Sequence, residues 1–119
     1  YLFTLKENTN RSVIGLIYVK ELFKNPGQAE LAYCISYQYK GKGIMTTVVK
    51  KIIEWSFFSI NLNRLQIIVH ESNLASMRIA EKCGFKYITI LQKEHRRSNG
   101  EVVDMLLFEL NKAESISPI

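Results

Sequence analysis

The sequence predicts an α/β domain of the α+β type. It should hold a mixed, mostly antiparallel sheet with one β-α-β crossover and helices packed on the sheet. Three observations lead there. Residues 2–37 carry strand-like alternation broken by turn clusters. The apolar period then lengthens to that of a helix directly after Gly43. A short apolar run follows that helix, so residues 29–70 form a strand-helix-strand unit. Such a unit implies a right-handed crossover between parallel strands. A length of 119 residues suits one domain spanning 1–119.

Each element has its own signal. Residues 2–7 read as a strand, ended by the turn cluster Asn8-Thr9-Asn10-Arg11. Residues 13–23 are rich in Val, Ile, Leu and Tyr and read as a second strand, stopped by Asn25-Pro26-Gly27. Residues 29–37 alternate: Leu31, Tyr33, Ile35 and Tyr37 share one face, and Glu30, Ala32, Cys34 and Ser36 share the other. Over residues 44–59, Met45, Val48, Val49, Ile52 and Ser56 form a helical stripe widened by Ile53 and Phe57. Residues 65–70 read as a buried strand. Asn73 stands where a helix N-cap belongs, Ala75, Ile79, Ala80 and Cys83 suit the apolar face of that helix, and Gly84 fits its left-handed stop. Residues 85–92 and 102–110 read as strands joined by a Ser98-Asn99-Gly100 turn. The tail, residues 111–119, is polar and expected to be loose.

Composition bounds the function classes. The chain is 47% apolar and 23% charged, a globular balance rather than a disordered one. No apolar run is long enough to span a bilayer and no charged-then-apolar leader is visible. Two cysteines make neither a disulfide framework nor a Cys-x-x-Cys pair. A cytoplasmic, reducing location is therefore expected, with no membrane partner. The net charge of +5 favours an anionic partner. The basic residues outside the loop described below, Arg78 and Lys82 among them, read as ordinary solvated charges. They form no basic tract and carry no aromatic interleaving, so nucleic acid is not an expected partner. The chain opens at Tyr1 without Met and already in a strand pattern, which suggests a missing upstream segment.

The most informative stretch is Gln38-Tyr39-Lys40-Gly41-Lys42-Gly43, where a strand runs into a helix. The N–H groups of a first helical turn, here from Ile44 and Met45 onward, have no partner inside the helix, and the helix dipole adds positive potential. Glycines let the backbone approach a phosphate closely, and Lys40 and Lys42 add charge. A Walker loop needs four residues between its glycines, and only one stands here. A dinucleotide fingerprint needs a small residue where Thr46 stands and an acidic ribose partner after the next strand, which is absent. A glycine-rich turn without a ligand remains the other reading of these residues.

With that loop and one further stretch on the page, the chain resembles the GNAT superfamily of N-acetyltransferases. Gln38, Gly41 and Gly43 fill the three fixed places of that family's pyrophosphate loop. The run from His70 to Phe85, with Asn73-x-x-Ser76 and the Gly84-Phe85 stop, resembles the RimJ/RimL-like branch, as does Glu30-Leu31-Ala32-Tyr33. The resemblance covers residues 2–110. It implies that the strand before the loop and the strand after the helix splay apart, and that acetyl-CoA binds there. The pantetheine arm would run along Cys34, Ile35 and Ser36 and meet Asn73 and Ser76. The pyrophosphate would sit on Gln38, Lys40, Gly41, Lys42, Gly43, Ile44 and Met45. The family's first strand and its one or two leading helices have no counterpart here, and Thr47 stands where the branch often has Glu.

The reaction so implied is direct attack of a primary amine on the acetyl thioester. The amine would belong to a protein N-terminus or a small molecule. Such an attack needs a base and donors for the oxyanion. Glu30 is the first candidate base, set against a surface carboxylate; Glu71 is the second, set against a solvated loop residue. Ser76 resembles the branch's Ser and would donate to the departing sulfur, set against an ordinary first-turn serine. Asn73 would cap its helix and touch the pantetheine arm. Cys34 reads as a small buried thiol rather than a nucleophile. His70 lacks a second ligand at metal spacing, so no metal site is expected. Tyr37 and Tyr39 flank the loop, and Trp55 and Phe58 read as packing residues. Apolar surface left by absent helices makes a homodimer an expectation. The alternative function is an acetyl-CoA-binding module that does not catalyse.

Overall fold

The computed structural model describes residues 1–96 and 99–115, with side chains left out at 93–96 and 103. Six strands, β1 (Leu2–Lys6), β2 (Val13–Glu21), β3 (Gln28–Ile35), β4 (Arg64–His70), β5 (Lys86–Arg96) and β6 (Val102–Asn111), form one sheet in the order β1-β2-β3-β4-β6-β5. All neighbours are antiparallel except β3 and β4. The helix joining those two is α1 (Ile44–Phe58); α2 (Leu74–Lys82) follows β4, and α3 (Lys112–Ser115) closes the described chain. The mixed sheet and its crossover are thus those the pattern of apolar residues predicts.

Alternation decides which face each strand buries. Ile17 and Val19 of β2 lie opposite Tyr33 and Leu31 of β3 and join Leu65, Ile67, Phe108 and Leu110 in the core. The stripe Met45, Val49, Ile52, Ile53 and Phe57 of α1 packs on that face. Phe57 is fully buried, which contributes roughly 2–3 kcal/mol of transfer free energy. Ser56 lies in the same stripe without penalty, because its Oγ donates to the Ile52 carbonyl at 2.7 Å. Trp55 meets Tyr1 and Phe3 edge-on at 4.9 and 5.0 Å, fastening the edge strand to α1. The opposite face carries Leu2, Leu16 and Tyr18, all exposed, beside Ala32 and Cys34.

The ends of α2 follow the capping signals. The Asn73 side chain accepts the Ser76 N–H at 3.1 Å. At the other end Gly84 takes φ +92°. Its N–H donates to Glu81 while the Phe85 N–H reaches back to Ala80, each at 3.0 Å, and buried Phe85 plugs the core.

Several boundaries differ from the expectation. β2 stops at Glu21, and residues 22–27 turn back with Phe23 fully exposed. β3 stops at Ile35. Ser36 still donates to Ile14, but Tyr37–Tyr39 then coil into a single 3-10 turn, so Tyr37 leaves the face of Leu31 and Tyr33 and points to solvent. Gly100 does take a turn conformation at φ +89°, whereas Ser98 lies outside the described residues. Within the tail expected to be loose, residues 111–115 make contacts with the domain. Lys112 donates to Asn63, Glu114 pairs with Lys86 at 3.3 Å, and residues 116–119 are outside the described part.

Candidate functional site

The site arises where two parallel strands part. β3 and β4 pair at Gln28–Arg64, Ala29–Leu65 and Glu30–Gln66, and no further. Past Glu30, one edge of β3 keeps β2 as its partner, while the edge toward β4 has no strand to pair with. The gap opens into a cleft of about 500 Å³ bordered by Leu31, Ala32 and Tyr33 on one side and residues 67–70 of β4 on the other. A second cleft of about 420 Å³ continues from Tyr33, Cys34 and Ile35 to the glycine loop and along α2. Tyr33, Asn73 and Ser76 line both, so the two make one path from the strand gap to the loop.

The loop end is built for an anion. Gly41 and Gly43 both take φ +75°, and a Cβ built on either meets nothing within 4 Å. A side chain at either would stand in open space, and the left-handed backbone excludes most other residues. Gly43 is the N-cap of α1, whose first turn holds no acidic residue. Thr47 closes the first intrahelical bond to the Gly43 carbonyl at 3.1 Å. The N–H groups of Ile44, Met45 and Thr46 therefore precede the helical ladder and point out of the helix end. The residues fit a pyrophosphate there.

Most of the residues expected to bind the cofactor border this path: Cys34, Ile35, Lys40, Gly41, Gly43, Ile44, Met45, Asn73 and Ser76. Ser36, Gln38 and Lys42 do not. The Lys42 ammonium lies 5.8 Å from the Tyr39 ring centre, and Lys40 lies 6.0 Å from that of Tyr37. Tyr39 borders the loop cleft and Tyr37 does not. Cys34 corrects one expectation: its thiol is exposed, because it stands on the uncovered face of the sheet. Glu30 occupies the last paired rung and lines neither cleft. Glu71 is an exposed turn residue. His70 borders the strand gap, with Nδ1 accepting the Ser72 N–H at 3.0 Å and lying 2.5 Å from its Oγ.

Two features escape the sequence reading. The Tyr33 hydroxyl crosses from β3 to α2, a pairing for which no local signal exists. Burial drives its phenol well above the usual range, with the Cys83 thiol adding to the shift. The cleft is also bordered by Ala75, Arg78, Ile79 and Lys82. Their three- and four-residue spacing was a readable helical face. Cys83 packs between the helices with its Sγ 3.7 Å from the Thr46 carbonyl, and burial raises its thiol above the ordinary value, against the lowering effect of Lys50.

Fold and site together define an α+β domain with a strand gap leading to a glycine-rich helix start. The family model for the acetyltransferase (GNAT) domain matches residues 1–86, and the chain belongs to that family. It is 28% identical over 112 residues to the uncharacterized N-acetyltransferase p20 of Bacillus licheniformis, covering 94% of this chain and 62% of that protein. It is 31% identical over 107 residues to YdaF of Bacillus subtilis, a ribosomal N-acetyltransferase by inferred assignment, covering 87% and 56%. The Escherichia coli spermidine N(1)-acetyltransferase is 34% identical over 71 residues, covering 60% and 38%. The chain thus spans between about half and three fifths of the length of the first two relatives. Among solved structures, a ribosomal-protein-S5-alanine acetyltransferase from Vibrio fischeri superposes with a TM-score of 0.88 at 23% identity, over 98% of this chain and 63% of that one, a likeness of fold. Among the described residues no helix is long and apolar enough to cross a membrane.

Proposed function

We propose that the chain is the acetyl-CoA-binding core of an N-acetyltransferase of the RimJ/RimL-like branch, which transfers an acetyl group to a primary amine by direct attack. The observation that carries this reading is the parting of β3 and β4 after Glu30, continuous with the Gly41–Gly43 seat. The unpaired edge of β3 suits the amides of a pantetheine arm, and the helix end suits a pyrophosphate. Acetyl-CoA supplies an activated thioester; this chain's residues hold and polarise it. Asn73 and Ser76 border both clefts, so they stand between the thioester position and the phosphate seat. Ser76 donates from Oγ to the departing sulfur. Glu30 accepts the amine proton through water, since its carboxylate does not line the cleft itself.

The acceptor is a protein N-terminus or a small amine such as a polyamine. The support is two relatives, a ribosomal N-acetyltransferase by inferred assignment and a spermidine N(1)-acetyltransferase. One observation favours a second reading, an acetyl-CoA-binding module without transfer: Glu30 is outside both clefts.

A thermal melt with acetyl-CoA tests the shared part. Ligand at 100 times its dissociation constant adds ~2.7 kcal/mol, or roughly 10 °C for a domain of this size. No shift at millimolar acetyl-CoA overturns both readings. Release of CoA in the presence of peptide N-termini or polyamines then decides for the transferase, and binding without release decides for the module.

A further inference from the structure

The loop cleft does not end at the loop. It extends along α2 to Arg78 and Lys82, which stand four residues apart and so project from one helical face. With Lys40 they are the charged residues of this lining, which contains no carboxylate. Like charges at that spacing weaken a helix, and neither residue has an ion-pair partner among the described residues. Lys82 also borders a shallow depression that holds Lys50, and Lys86 there is paired with Glu114.

One cleft therefore holds two cationic groups, the start of α1 with Lys40 and the Arg78–Lys82 pair, and the contact of Cys83 with the Thr46 carbonyl brings the end of α2 beside the first turn of α1. A single phosphate seat accounts for the first. CoA carries a pyrophosphate in mid-molecule, a thioester arm on one side and a 3′-phosphorylated ribose on the other. With the arm in the strand gap and the pyrophosphate at Gly41–Gly43, the ribose side falls at the loop end of the cleft, where the α2 wall carries the second cationic group.

We propose that Arg78 and Lys82 bind the 3′-phosphate of CoA and make the site select CoA over its 3′-dephospho form. This rests on the acetyl-CoA reading above. The guanidinium fork of Arg78 matches two phosphate oxygens, and Lys82 contributes a point charge.

Calorimetric titration of the whole chain with CoA and with 3′-dephospho-CoA, at low salt, is the test. Two exposed charge contacts are expected to favour CoA by about tenfold, a preference that shrinks as salt is added. The double variant Arg78→Ala/Lys82→Ala should bind the two ligands equally, with its affinity for 3′-dephospho-CoA unchanged. Both positions are exposed and alanine favours helix, so the variant should fold, as its melting curve will verify. Equal affinities in the unaltered chain, or a preference that survives in the double variant, overturn the inference and leave the acetyl-CoA reading standing. Failure of both ligands to bind overturns the two together.

Discussion

The Tyr33 hydroxyl donates a hydrogen bond to the main-chain carbonyl of Ser76 at 2.9 Å, joining β3 to α2 across the cleft. The Ser76 N–H is held from the other side by Asn73. The backbone of Ser76 is therefore fixed at both of its polar groups, and its side chain lies within hydrogen-bonding reach of the same Tyr33 phenol. A serine so held stands beside the path with little backbone freedom to lose on binding.

Tyr33→Phe should cost about 1 kcal/mol, read as a lower melting midpoint, since one part-buried hydrogen bond is lost and the ring stays. The same residue sets a pH dependence. Its folded pKa is raised by burial, so the folded chain holds the proton more tightly than the unfolded chain does. Stability should fall as pH rises above about 10, the unfolded phenol value. Tyr33→Phe should flatten that alkaline decline; an identical slope in both proteins would show that other groups cause it.

Gly41→Val should abolish the acetyl-CoA-induced rise in melting temperature. A Cβ at this position meets no protein atom within 4 Å, so the side chain would occupy the ligand's space rather than the core's. The φ of +75° adds strain of roughly 1–2 kcal/mol to the unliganded protein. A variant that melts a few degrees lower yet shifts normally with acetyl-CoA would remove the loop from the binding site.

Asn73 can be divided into its two roles. Asn73→Ala should lose about 1 kcal/mol with the cap, whereas Asn73→Asp keeps an acceptor for the Ser76 N–H and should melt near the parent. The aspartate nevertheless places negative charge in a cleft meant for an anion, so acetyl-CoA affinity should drop. Undiminished affinity in Asn73→Asp would leave Asn73 as a cap alone.

Glu30→Gln should leave acetyl-CoA binding intact and slow amine acetylation by a factor on the order of 100 or more, the usual contribution of a general base. A normal rate would take Glu30 out of the chemistry and leave it as the residue that ends the β3–β4 ladder.

Local signals proved readable wherever one residue's chemistry forces a backbone state. Asn73 and Gly84 marked the ends of α2, and the Met45-to-Phe57 stripe marked the buried face of α1. Gly41 and Gly43 marked the turn from β3 into α1 through the left-handed backbone they adopt. Legibility failed where the outcome depends on distant partners. Alternation through Tyr37 says nothing of where β2 stops pairing with β3, so the strand was drawn two residues too long. The exposure of Cys34 depends on its sheet face having no cover among the described residues. The Tyr33 contact links positions 43 residues apart, and no window of sequence contains it.

The parting of β3 and β4 also divides the sheet mechanically. Two antiparallel ribbons, β1-β2-β3 and β4-β6-β5, meet along three rungs, whereas seven rungs join β2 to β3 and seven join β4 to β6. The seam is the narrowest joint in the sheet, and α1 is the strap that crosses it. A molecule lying in the gap would act as a splint, turning two hinged leaves into one stiff plate.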